Sequence, residues 1–195
     1  MPLDDYKKKR DFEKTPEPPG GRADLSGRTY AIQKHDASRL HYDLRLRSGE
    51  VLKSWALPKG PSTNPSQKRL AVLVEDHPLE YAGFEGVIPE GEYGGGTVML
   101  WDRGTWEPLG DPDAMLAAGR LSFVLHGERL SGRWALVRMS GKRGEGGKNW
   151  LLIKHKDEAA ETEGEITARH QTSVATGRTM EEIADQGKIR DLKGG

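Results

Sequence analysis

Residues 31–47, AIQKHDASRLHYDLRLR, hold two histidines and an aspartate close together. His41 and Asp43 are two positions apart, and His35 precedes them across DASR, a segment of turn-forming residues. Side chains two positions apart on a strand share a face, so a hairpin can bring all three together. Two imidazoles and a carboxylate suit Mn, Fe, Co, Ni or Zn and leave positions for water and substrate. Alternatively, these are solvent-facing residues of a half-exposed antiparallel sheet.

Further polar residues accompany this set. Arg45 shares the strand face of Asp43, and its guanidinium fits a phosphate or a carboxylate, while Gln33 belongs to the same face of the preceding strand. Arg69 and His77 flank LAVLVED and add a cation and a group that titrates near neutral pH, although a surface charge and a turn residue would explain them equally. Non-haem Fe(II) oxygenases also use two histidines and a carboxylate, so the spacing alone leaves that alternative open.

The composition excludes several classes of site. The chain has no cysteine, which rules out disulfides, thiolate metal sites and cysteine nucleophiles. Its 30 basic and 30 acidic residues cancel, so net charge neither requires nor excludes a nucleic-acid partner. The N-terminus has no apolar signal-peptide core, and no run of about 20 apolar residues occurs. We therefore expect a cytoplasmic monomer without a membrane partner.

The elements that must position these residues are short strands. Apolar or alternating runs separated by turn residues predict the strands TYAIQKH, HYDLRLR, VLKSWAL, LAVLVED, GTVMLWD, LSFVLHG, GRWALVRM and WLLIKH. Their number and spacing predict an all-β protein, a compact closed or partly open β-barrel of about eight strands with short helices. DPDAMLAAG predicts one such helix, with Asp111 or Asp113 near its start and Gly119 beyond its end. GEYGGGTV lacks the Gly-Lys-Ser/Thr of a P-loop and predicts a turn.

A chain of 195 residues predicts one main domain, over residues 29–156. Residues 1–28 are polar and rich in Pro and Gly, which predicts a flexible N-terminal arm. Residues 157–195 lose the apolar periodicity and predict a flexible tail or linker, with a short helix over TMEEIADQ capped by Thr179. The five tryptophans lie in or beside predicted strands and are expected in the core.

Several blocks in order resemble a known family over about residues 6–156: YAIQKHDASRLHYDLRL, LKSWALPKGPS, KRLAVLVEDHPLEYAGFEGVIPEGEYGGGTV, WDRGTWEP and NWLLIKH. The family is the 3′-phosphoesterase module of DNA ligase D, the bacterial and archaeal ligase of non-homologous end joining. The resemblance implies a β-barrel with the active site on a concave face. It also implies an enzyme that removes a 3′-terminal ribonucleoside from a primer-template and hydrolyses the remaining 3′-phosphate to a 3′-hydroxyl.

The resemblance further implies site residues, a cofactor and partners. The metal is Mn²⁺, with Co²⁺ or Zn²⁺ as alternatives, on His35, His41 and Asp43. Phosphate contacts and catalysis are assigned to Gln33, Arg45, Arg69, His77, Tyr81 and, from the arm, Arg10, Asp11 and Glu17. His77 is either the general acid or a second phosphate contact. The implied partners are DNA or RNA-tailed DNA 3′ ends and the ligase, polymerase and Ku components of end joining. A non-catalytic DNA-end-binding or docking module is the remaining alternative.

Overall fold

A computed structural model describes residues 2–21 and 27–193, and within them the chain folds into antiparallel strands. The strands are β1 (Thr29–Asp36), β2 (Leu40–Ser48), β3 (Val51–Leu57), β4 (Arg69–Leu73), β5 (His77–Pro78), β6 (Gly86–Ile88), β7 (Gly96–Pro108), β8 (Arg120–Gly127), β9 (Ser131–Arg138) and β10 (Asn149–Lys154). Eight of them pair in the order β1-β2-β3-β4-β10-β9-β8-β7, and β7 returns to pair with β1. The predicted barrel is therefore confirmed and closed, and each of the eight predicted runs supplies one of its strands. β5 and β6 are short additions to β3 and β7.

The barrel interior is filled by the apolar side of each strand. On β2, Tyr42, Leu44 and Leu46 are buried in this core. All five tryptophans are buried as well, with at most 3% of each exposed. This confirms the prediction that the tryptophans form core. They are buried because alternate strand positions point the large aromatic rings inward.

The outer face of β1, β2 and β3 is also covered. A second, smaller apolar cluster lies there, formed by Tyr6, Ala31, Leu52, Leu79, Tyr81, Ala82 and Leu100. Tyr6 comes from the N-terminal helix α1 (Asp4–Lys8), and Leu79, Tyr81 and Ala82 come from a 3-10 helix over Leu79–Gly83. The polar residues of the outer face are consequently buried between the barrel wall and this cover.

The remaining helices are short, apart from the last. In α2 (Pro112–Ala118) the Asp111 carboxylate accepts from the backbone N–H groups of Asp113 and Ala114, and Gly119 ends the helix with φ 80°, as predicted. α3 covers Ile166–Arg169, α4 covers Met180–Lys193, and a further 3-10 segment covers Gly141–Gly147. Thr179 and Glu182 form a reciprocal cap on α4, which confirms the predicted cap. Among the described residues, none of the helices is both long and apolar enough to cross a membrane.

The two terminal segments pack against the barrel. In the N-terminal segment, Tyr6 and Glu17 are buried, and α1 is regular structure that the composition did not predict. In the C-terminal segment, Ile166 and Ile183 join the main core. A few apolar side chains are enough to fix a polar segment to a surface that is already folded, because the barrel supplies the rest of the contact. The predicted flexibility and boundaries of the arm and tail stay predictions.

Candidate active site

Three side chains that could together hold a metal ion converge on the outer face of the first hairpin. Pairing of β1 with β2 places His35 directly opposite His41, with ring centroids 4.8 Å apart. The Asp43 Oδ2 atom lies 3.6 Å from His35 Nδ1 and 3.3 Å from His41 Nε2. The three donor atoms all lie within 4.8 Å of one another, so one ion can contact all of them.

Each imidazole is oriented by a backbone carbonyl on its far side. His35 Nε2 donates to the Gly94 carbonyl at 2.7 Å, and His41 Nδ1 donates to the Arg39 carbonyl at 3.0 Å. Because a carbonyl only accepts, these nitrogens carry hydrogen, and in neutral rings the nitrogens facing Asp43 present lone pairs. Metal-binding histidines are typically held in this way. The donor set therefore fits a divalent transition metal.

The carboxylate of this set is held in its ionised form. Burial raises the pKa of Asp43, but the cation Arg45 and the hydrogen bonds that His35 and His41 donate when their facing nitrogens carry hydrogen outweigh burial and bring it well below its usual range. Arg45 Nη2 lies 3.5 Å from Asp43 Oδ2. An anionic carboxylate beside two imidazole lone pairs is the protonation state that a metal cation requires.

Arg45 is locked in place beside the metal-ligand set. Its side chain is 3% exposed, and its Nε donates to Gln33 Oε1 at 2.7 Å. Gln33 is fixed in turn, since its Nε2 donates to the carbonyls of Tyr81 and Phe84 at 2.7 and 2.9 Å. Arg45 Nη1 is buried and has no hydrogen-bond partner among the described residues. A buried N–H without a partner costs about 1–3 kcal/mol, which points to a ligand that would accept from it.

His77 lines the same cavity. Its Nδ1 donates to the Glu75 carbonyl at 2.9 Å, and its Nε2 lies 3.5 Å from Arg10 Nη2. Burial, together with the cations Arg45 and Arg10, brings the pKa of His77 well below its usual value. In the free protein His77 is therefore neutral at neutral pH, with a lone pair on Nε2.

The N-terminal segment completes the site through a buried carboxylate. Glu17 accepts from Arg10 Nε at 2.9 Å, from Thr15 Oγ1 at 2.8 Å and from the Tyr81 hydroxyl at 2.8 Å. Burial raises the pKa of Tyr81 well above its usual value, so its hydroxyl stays protonated and donates. Arg10 Nη1 also pairs with Glu75 at 3.3 Å.

Most of the predicted residues surround one cavity of about 240 Å³. Those that line it are Arg10, Glu17, His35, His41, Asp43, Arg45, His77 and Tyr81. Gln33 lies behind Arg45 and positions it without lining the cavity.

Two predicted residues are not brought to this cavity. Arg69 shares a strand face with Ala71, which points into the barrel, and at the barrel end its guanidinium pairs with Glu165 at 2.9 Å. Arg69 therefore does not line this cavity, and Arg10 is the arginine beside His77. The Asp11 side chain is 45% exposed and pairs with Lys14.

The sequence interpretation missed three contributors to the site. Glu75 and Tyr93 line the cavity, and Gly94 supplies the carbonyl that orients His35. Glu75 stands two positions before His77, a spacing that could have marked it as sharing a strand face. Tyr93 and Gly94 belong to the glycine run, which is the turn between β6 and β7 that the sequence predicts. Gly94 has φ 72°, a conformation that glycine adopts without strain.

A family comparison decides what kind of domain this is. The family model of the DNA ligase D 3′-phosphoesterase domain matches residues 33–138, just over half of the chain, a range that includes His35, His41 and Asp43. The chain belongs to the DNA ligase D 3′-phosphoesterase domain family. The predicted resemblance is thus confirmed.

Relatives of this phosphoesterase domain are much longer proteins. It is 53% identical over 186 residues to the multifunctional non-homologous end joining protein LigD of Pseudomonas aeruginosa, covering 92% of this chain and 22% of that protein. It is 46% identical over 158 residues to the protein of the same name from Mycobacterium bovis, covering 78% of this chain and 20% of that protein. The protein of the same name from Mycolicibacterium smegmatis is 42% identical over 166 residues, covering 80% of this chain and 21% of that protein. The chain therefore spans about a fifth of the length of these relatives.

Proposed function

We propose that this domain is a Mn²⁺-dependent 3′-end-processing phosphoesterase that acts in double-strand break repair by non-homologous end joining. It removes a 3′-terminal ribonucleoside and then hydrolyses the remaining 3′-phosphate to a 3′-hydroxyl. Its substrates are DNA or RNA-tailed primer-template ends, and its functional partners are the ligase, polymerase and Ku components of the pathway. The family assignment and the names of the end-joining relatives support this proposal.

One observation carries the proposal most directly. The buried Arg45 Nη1 has no partner among the described residues and belongs to a side chain lining the cavity beside His35, His41 and Asp43. A guanidinium held so close to a metal-ligand set would neutralise a phosphate oxygen and satisfy its own N–H at once. Arg10, whose side chain is 5% exposed, supplies a second cation at this cavity.

Different residues of the chain would bind the metal and the phosphate. When bound to His35, His41 and Asp43, Mn²⁺ would supply a Lewis acid and lower the pKa of water. Arg45 and Arg10 bind and neutralise the phosphate oxygens.

Other residues hold these groups in position. Gln33 and Glu17 orient the two arginines through the hydrogen bonds described above, and His77, which lines the same cavity, contacts the terminal phosphate. Tyr81 donates a hydrogen bond to Glu17 and thereby holds the N-terminal segment over the site.

The test is turnover on defined 3′ ends. Primer-templates that end in a 3′-phosphate or a 3′-ribonucleoside are incubated with metal-stripped protein, with and without added Mn²⁺. We expect both to become 3′-hydroxyl ends only when the metal is present. Binding of either end without metal-dependent turnover would instead identify a docking module, and consumption of oxygen with a 2-oxo acid would identify an oxygenase.

The contribution of the N-terminal segment is tested by Glu17→Ala. Loss of this carboxylate leaves Arg10 and Tyr81 without their shared acceptor, so Arg10 loses its position beside His77. We expect turnover to fall by up to about 10²-fold, because misplacing a substrate-binding group by about 1 Å can cost that much. Circular dichroism should show that the barrel still folds, because Glu17 lies outside the main core, although loss of the buried Arg10–Glu17 pair should lower the free energy of unfolding.

The matched control is Glu13→Ala, which removes an exposed carboxylate from the same segment. It should leave turnover unchanged. Equal rates for Glu17→Ala and wild-type protein would show that the segment contributes nothing to the reaction.

A further inference from the structure

Residues 141–148, GKRGEGGK, form a basic connection between β9 and β10. Lys142, Arg143 and Lys148 are exposed, and none of them forms an ion pair within the described ranges 2–21 and 27–193. Glu145 is the single acid of the segment. Its cations are therefore free to meet an anionic partner.

Strand register places this loop on the same side of the barrel as the cavity. Asp43 pairs with Ala56, Ala56 with Val72, and Val72 with Asn149, so the four residues form one row across β2, β3, β4 and β10. Directly paired residues share a sheet face, and Asn149 therefore lies on the outer face with Asp43. Asn149 Nδ2 donates to the Arg143 carbonyl at 2.8 Å, which fixes the loop at the end of this row.

The loop is held by bonds that do not use its charges. Leu73 N–H donates to the Lys148 carbonyl at 2.7 Å, and Trp150 Nε1 donates to the Gly147 carbonyl at 3.0 Å. Val74, the next residue after Leu73, lines the cavity. The loop is thus joined directly to the cavity rim, and its exposed lysine side chains are not required for its conformation.

The spacing fits a nucleic-acid duplex. Three strand spacings separate Asp43 from Asn149, which is roughly 14 Å across the sheet surface. One strand of B-form DNA carries a phosphate about every 3.4 Å along the axis, so this distance corresponds to about four nucleotides. Ala56 and Val72 have short side chains, so nothing large projects from the sheet in the row between the cavity at Asp43 and the loop at Asn149.

We propose that residues 141–148 bind the phosphate backbone of duplex DNA about four base pairs from the 3′ end that occupies the cavity. This inference rests on the proposed function, because it takes the 3′ end of DNA as the ligand of the cavity. The loop would be a binding site for the duplex backbone, separate from the residues that act on the terminal phosphate.

The test compares two charge-matched double variants with wild-type protein. Lys142→Ala/Lys148→Ala removes two loop cations, and Arg133→Ala/Lys156→Ala removes two exposed cations near the opposite ends of β9 and β10. Equilibrium binding of a 3′-phosphate duplex longer than four base pairs is measured over a range of salt concentrations. We expect the loop variant to bind more weakly and to lose about two from the slope of log K against log salt, while the control keeps the wild-type slope.

A second measurement separates the loop from the cavity. A dinucleotide with a 3′-phosphate is too short to reach the loop, so the loop variant should hydrolyse it at the wild-type rate. The proposal would be overturned if the loop variant kept the wild-type salt slope for duplex binding or had the same slope as the control variant. It would also be overturned if the loop variant hydrolysed the dinucleotide more slowly by a factor that matches its loss of duplex binding. If wild-type protein binds the duplex through the loop but hydrolyses neither substrate, the proposed function fails while the loop inference stands.

Discussion

Alanine in place of His35, His41 or Asp43 is expected to abolish hydrolysis of both 3′-phosphate and 3′-ribonucleoside ends. The three donor atoms lie within 4.8 Å of one another, and loss of any one leaves two ligands. Because substitutions of residues that merely support metal ligands already cost about 10–100-fold, loss of a ligand itself should lower Mn²⁺ affinity by more than about 100-fold. Isothermal titration with Mn²⁺ and turnover at saturating metal would be measured on each variant.

Asp43 needs a second variant because it also pairs with the buried Arg45. Removal of one partner of a buried ion pair destabilises a fold by about 3–5 kcal/mol. Asp43→Asn preserves the volume and can still accept from Arg45, so it separates loss of the metal ligand from loss of stability. Asp36→Ala removes an exposed carboxylate from the same hairpin and serves as the control. Wild-type metal affinity and turnover in any ligand variant would remove that residue from the site.

His77→Ala is expected to reduce hydrolysis of the 3′-phosphate more than removal of the 3′-ribonucleoside. Burial, Arg45 and Arg10 lower the pKa of His77 in the free protein. A terminal phosphate dianion would offset those cations and favour protonation of Nε2, whereas a monoanionic diester would do so less. The loss on the phosphomonoester should be within about 10²–10⁴-fold, the range typical for a group that transfers or shares a proton.

Rates for the two steps would be measured separately over a range of pH at saturating Mn²⁺. His77→Asn retains a side-chain donor for the Glu75 carbonyl and tests position, and His126→Ala removes an exposed histidine elsewhere on the barrel as the control. A general acid must carry its proton, so activity that depends on His77 as an acid would fall as pH rises through its lowered pKa. Equal losses on both substrates would identify His77 as the general acid of both reactions, provided that the variant also loses the fall in rate at high pH.

The strand segments and the first hairpin, which joins His35, His41 and Asp43, were predictable because both depend on local sequence patterns. Alternation of apolar and polar residues in 31–47 assigns each side chain to a face, and a tight turn brings His35 opposite His41. The helix caps at Asp111 and Thr179 were predictable for the same reason, since each bond spans only a few residues. The catalytic roles assigned to the residues around the metal-ligand set remain predictions.

Contacts between distant parts of the chain were decided only by the tertiary structure. Arg10 contacts Glu75 across 65 residues of sequence and Glu17 contacts Tyr81 across 64, and no local pattern encodes these contacts. The barrel also determines that Arg69 points to its interior side, away from His77, although the two flank one predicted strand run. Alternation specifies that a strand has two faces, but closure of the barrel and packing of the N-terminal segment decide which face becomes core and which becomes a covered, polar cavity.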